Sequence, residues 1–153
     1  MLMPDGMKLS PQFDRIVKIA IAGHSEYKRG GYLGGLWDSQ ANTSDFTTVK
    51  LKDPQSAQAR LLAYLKPFTE GHCDVTLKAC YQAIDPEGKD FMLKMAQSLG
   101  ANIIGFDDEY AFRGWGNEWK VDPLGNWSMT KGKPLYSLLD GFNSPAYLSG
   151  MTF

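Results

Sequence analysis

The chain has 153 residues, 43% hydrophobic and 22% charged, the balance of an ordinary globular protein with enough length for one core. A formal net charge of −1 gives no electrostatic footing for nucleic acid or an anionic membrane surface. No apolar run approaches the ~20 residues of a membrane span, and segment 1–13, with Pro4, Asp5 and Lys8, lacks the apolar stretch of a signal peptide. In chain order, that segment reads as an irregular lead-in. Ile16–Ala22 is a β-branched, apolar run that predicts a buried strand, with Gly23 as its exit. Ser25–Ser44 is polar and rich in glycine (Gly30, Gly31, Gly34, Gly35), with Tyr27, Tyr32 and Trp37 interspersed, and predicts a long loop whose part Tyr27–Trp37 would serve as a lid or order on a partner. Phe46–Leu51 reads as a short edge strand.

Asp53 and Pro54 predict a helix start, as N-cap and first helical residue. Ala57, Leu61, Leu62 and Leu65 follow at helical spacing, and Pro67 is expected to end the helix. Cys73–Ala79 is a second predicted strand. Asp85, Pro86 and Glu87 open another helix, with Phe91, Met92, Met95, Ala96 and Leu99 on one face and Gly100 as its C-cap. Asn102–Phe106 is a third strand. Trp119–Val121, the turn Asp122–Gly125, and Asn126–Met129 predict a hairpin; Leu135–Leu139 reads as a short helix and 140–153 as an irregular tail. The alternation of strands and helices predicts a single α/β domain over 1–153, a mainly parallel sheet with helices on both faces and a C-terminal β-hairpin.

Two predicted strands end in reactive side chains, His24 and Cys80. In open α/β sheets, ligands bind in the crevice outside the carboxyl ends of parallel strands. An imidazole and a thiol on that rim are the parts of a cysteine-nucleophile dyad. The competing readings are a turn histidine and a buried, inert cysteine. Cys73 falls at the opposite end of the same strand and reads as a core residue, and His72 as a surface loop histidine; the pair is too few in ligands for structural zinc. Along one strand the two cysteines, 80 − 73 = 7 residues apart, are separated by about 23 Å, beyond the ~7 Å reach of a disulfide. Two free thiols point to a reducing compartment, either the cytoplasm or a host cytosol reached by a secreted effector.

These residues carry a resemblance. An apolar strand ending in Ile21-Ala22-Gly23-His24, a glycine-containing loop, a helix, and a strand ending in Leu77-Lys78-Ala79-Cys80 resemble the caspase-like cysteine peptidase clan. The His-then-Cys order, 80 − 24 = 56 residues apart, is in keeping with that clan. Gly88–Leu99, Gly100–Gly105 and Gly116-Asn117-Glu118-Trp119 are similar to an uncharacterised bacterial domain related to these peptidases, and the likeness spans about Ile16 to Trp127. The resemblance implies a three-layer αβα sandwich and peptide-bond cleavage through a thioester, with a peptide or protein substrate and no cofactor or metal. His24 would be the general base and acid and Cys80 the nucleophile; backbone amides of Gly23, Ser25 and Cys80 would bind the oxyanion. Ser25 stands where the clan has glycine, and the chain lacks the length of the two-part caspase fold, which fits a non-catalytic binding or scaffolding relative.

Asp107, Asp108 and Glu109 follow the third strand and form either a pocket for a basic substrate side chain or a solvated acidic turn. Trp115, with Trp119 and Trp127, would wall a substrate groove or cover the sheet edge. A phosphate site fits least, because the glycines form neither Gly-x-x-x-x-Gly-Lys-Ser/Thr nor Gly-x-Gly-x-x-Gly at a helix start.

Overall fold

A computed structural model describes residues 10–12, 14–25, 32–33, 46–79, 82–108 and 116–133. Its elements run β1 (Lys18–Ala22), β2 (Tyr32–Leu33), β3 (Phe46–Thr47), α1 (Thr48–Lys52), α2 (Ala57–Thr69), β4 (Asp74–Lys78), α3 (Pro86–Leu99), β5 (Asn102–Phe106), β6 (Gly116–Val121) and β7 (Trp127–Lys133). One open sheet has the order β1-β4-β5-β6-β7. β1, β4 and β5 are parallel neighbours, while β5/β6 and β6/β7 are antiparallel. The α/β class and the C-terminal hairpin are therefore present. The sheet is mixed rather than mainly parallel, because the hairpin extends the sheet through β5. β2 and β3 form a separate antiparallel ribbon.

β4 shows why one face of the sheet holds the core. Val75 and Leu77 are fully buried, while Asp74, Thr76 and Lys78 between them are half-buried, the period-2 pattern of a strand covered on one side. Ile103 on β5 and Val121 on β6 extend that apolar face, and Phe91, Met92, Met95, Ala96 and Leu99 of α3 pack against it. Each of the larger side chains contributes roughly 1.5–3 kcal/mol of burial. Leu51 of α1 and Leu62 of α2 join the same core, so the described helices share one face. The opposite face carries Lys18, Ala20 and Ala22, all exposed, and Thr76, Lys78, Asn102, Ile104, Glu118 and Lys120, all half-buried. Among the described residues the layers thus number two. β1 departs from the fully buried strand expected of it: within it only Ile19 and Ile21 turn toward the core, because the described helices cover one face of the sheet.

The boundaries around α1 and α2 differ from expectation, each for a local reason. Residues 48–51 are helical rather than extended, because the Thr47 hydroxyl accepts the Lys50 N–H and starts α1. Asp53 is the C-cap of α1; its carboxylate holds the Gln55 N–H in a turn, and Ser56 caps α2 by accepting the Ala59 N–H. Pro67 lies inside α2 rather than ending it. In the last turn the proline forfeits only its own N–H, and the residue four before it, Ala63, is exposed, so water reaches the carbonyl left without that donor. By contrast α3 follows its sequence signals: the Asp85 carboxylate accepts the Gly88 N–H, Pro86 opens the helix, and Gly100 closes it at φ 59°.

Candidate functional site

The parallel ladder aligns the strand ends. Lys18 pairs with Asp74 and Ala22 with Lys78, an offset of 74 − 18 = 56 residues that holds along the whole strand pair. β1, β4 and β5 run in one direction, so they finish at one rim. The Gly23 N–H continues the ladder, donating to the Lys78 carbonyl at 3.3 Å. That amide is thereby committed to the sheet and withdrawn from the oxyanion role expected of it. His24 follows, exposed, and Ser25 is half-buried. On β4, Ala79 is buried. The last strand residue, Lys78, has its ammonium pKa lowered by partial burial. Cys80 lies outside the described residues, as do Glu109 and Trp115.

On the described part of the acidic turn, Asp107 is held by three donors from β6. Its Oδ1 accepts the Asn117 N–H at 3.0 Å, and its Oδ2 accepts the Asn117 side-chain amide at 2.8 Å and the Trp119 indole N–H at 3.0 Å. The Asp107 N–H donates back to the Asn117 carbonyl. This carboxylate therefore joins β5 to β6 across the rim. Asp108 is half-buried beside it. Trp119 is partly buried against the core, with Trp127 edge-on at 6.3 Å and the Lys89 ammonium 3.7 Å from its ring centre. Trp119 and Trp127 pack on the core face of the hairpin, rather than walling a substrate groove or covering the sheet edge.

Two features of this rim carry little signal in the sequence. Asn117 is the first, and only its place in Gly-Asn-Glu-Trp hinted at it. Gln82 is the second: it is 2% exposed and, among the described residues, its Oε1 has no hydrogen-bond partner, a cost of about 1–3 kcal/mol. It follows the β4 rim directly, where the Ala83 N–H bonds to the Phe106 carbonyl and the Gln82 carbonyl lies 2.0 Å from where a Cβ on Gly88 would stand. No local pattern announces that a glutamine at a strand-to-helix junction will be enclosed.

The other sulfur sits apart from this rim. Cys73 precedes β4 at its opposite end and is buried; burial, then the nearby Asp74 carboxylate, raise its pKa, which disfavours the reactive thiolate. His72 is exposed, with Nε2 3.0 Å from the Phe68 carbonyl. Among the described residues no three His, Cys, Asp or Glu side chains gather closely enough to hold a metal ion, and no helix is long and apolar enough to cross a membrane. Comparison with known proteins finds no matching family model, no matching curated sequence and no matching solved structure.

Proposed function

We propose that this chain is a cysteine peptidase, or a related acyl-transfer enzyme, of caspase-like design, acting through His24 and Cys80. One observation carries the reading: the parallel β1–β4 ladder has a residue offset of 56, and 80 − 24 is also 56. Two strands that end side by side are what a His–Cys pair at their carboxyl ends requires. The exposure of His24 suits a general base that must meet substrate. The chemistry is thiolate attack on the scissile carbonyl, with the imidazole taking the thiol proton and later giving it to the leaving amine. Water then hydrolyses the thioester. With its N–H engaged by Lys78, Gly23 is not among the oxyanion donors in this reading. The substrate is a peptide or protein, and the reducing cytoplasm, or a host cytosol, is the compartment in which such a thiol stays active.

A peptidyl alkylating probe tests this, with the label located by peptide mass spectrometry. Cys80 is expected to react much faster than Cys73, and His24→Gln is expected to slow that labelling. Equal or reversed labelling in the folded protein overturns the assignment. A second reading, a binding module that keeps the architecture without turnover, draws on Ser25 in the position where the clan has glycine. It predicts peptide binding that survives Cys80→Ala and no hydrolysis by the unmodified chain.

A further inference from the structure

At the opposite end of the sheet, where β4 and β5 begin, the half-exposed face closes into a cleft of about 190 Å³ lined by Asn102, Lys120, Asp122, Asn126, Trp127 and Ser128. Strand register assembles it. Ile104 pairs with Lys120, and Lys120 with Ser128, so Asn102, Lys120 and Ser128 share one face. Five strand residues at ~3.3 Å each put this cleft roughly 15 Å from the rim where His24 lies.

Two carboxylates hold its polar groups in place. Asp74 Oδ1 accepts the Asn102 side-chain N–H at 2.9 Å and lies 3.6 Å from the Lys120 ammonium. With its amide nitrogen on Asp74, Asn102 keeps its carbonyl oxygen as an acceptor for something else. Asp122 Oδ1 accepts the Leu124 and Asn126 N–H groups, and its Oδ2 accepts the Asn126 side-chain N–H, which leaves the Asn126 carbonyl oxygen for other donors. These bonds, led by those from Asn126, hold the Asp122 pKa below its usual value, so the carboxylate is ionised at neutral pH.

Charge then narrows the ligand. Two carboxylates against one ammonium disfavour an anion, and a cation would meet Lys120 and carboxylate oxygens already occupied by the turn. Amide oxygens, a hydroxyl and an ammonium side by side can accept from and donate to adjacent hydroxyl groups at once. We propose that this cleft is a second binding site, separate from the His24 rim, for a neutral polyhydroxyl ligand of monosaccharide size. Asn102 and Asn126 accept from its hydroxyls, Lys120 donates, and Ser128 does either.

Nitrogen-edited NMR of the full chain, titrated with glucose, galactose, mannose and N-acetylglucosamine in turn, tests the assignment. Saturable shifts are expected for at least one sugar in the side-chain amides of Asn102 and Asn126. Ser128→Ala, at an exposed position, should weaken that binding by about tenfold, the worth of one hydrogen bond. Lys120→Gln, which keeps a donor, should retain more of it than Lys120→Met. Absence of saturable shifts with all four sugars overturns the proposal. So do shifts that Ser128→Ala leaves unchanged, and equal shifts with inorganic phosphate, which would make this an anion site. None of these readouts depends on peptidase activity.

Discussion

Removing the Asp107 carboxylate separates two accounts of the acidic turn. In Asp107→Ala the Asn117 N–H, the Asn117 side-chain amide and the Trp119 indole N–H all lose their acceptor. Hydrogen bonds to a charged acceptor contribute about 1.5–3 kcal/mol each when counted singly, but these three share one carboxylate at a half-buried site where water can replace part of what is lost. A net loss of about 2–4 kcal/mol follows, or roughly 5–12 °C in Tm for a domain of this size. Asp107→Asn keeps one acceptor oxygen and turns an amide N–H toward a donor, so it should fall between Asp107→Ala and the unmodified chain. Urea unfolding followed by tryptophan fluorescence measures both, and the Trp119 indole proton should shift upfield as its acceptor is removed. An Asp107→Ala chain that unfolds within about 0.3 kcal/mol of the unmodified one would refute the account of Asp107 as the tie between β5 and β6. It would leave the carboxylate available for a basic substrate side chain instead.

Gly88→Ala places a methyl 2.0 Å from the Gln82 carbonyl, so the β4–α3 junction must move; a loss of about 1–3 kcal/mol in urea unfolding is expected, and an unchanged midpoint would show that the junction yields freely. Thr69→Val removes the hydroxyl that donates to the Leu99 carbonyl at 2.7 Å and joins the ends of α2 and α3; about 1 kcal/mol should be lost, with faster amide exchange at Gly71 and Gly100. Cys73 gives a pH dependence. Its folded pKa is raised above the ordinary 9.0, so the unfolded thiol ionises first and the unfolded state holds fewer protons. Stability from this group is complete below pH 9.0 and falls as pH rises beyond it, and Cys73→Ala should flatten that alkaline decline in a series of urea titrations.

The local signals in this chain were enough to define α3, β5 and the hairpin turn. Asp85, Pro86 and Gly100 each act within a few residues of where they stand, through a cap, a fixed φ and a left-handed φ, so no distant partner is needed to read them. The end of β1 before Gly23 and His24 was legible for the same reason. The helix at 48–52 was not, because Thr-Val-Lys-Leu-Lys alternates like a strand, and the choice falls to the Thr47 and Ser56 caps and the burial of Leu51. Nor could composition say that Asp107 would meet Asn117 and Trp119, that Gln82 would be enclosed, or that Asn102, Lys120 and Ser128 would share one face. Those outcomes depend on which strands become neighbours and in what register, and register is settled by the packing of the buried face as a whole.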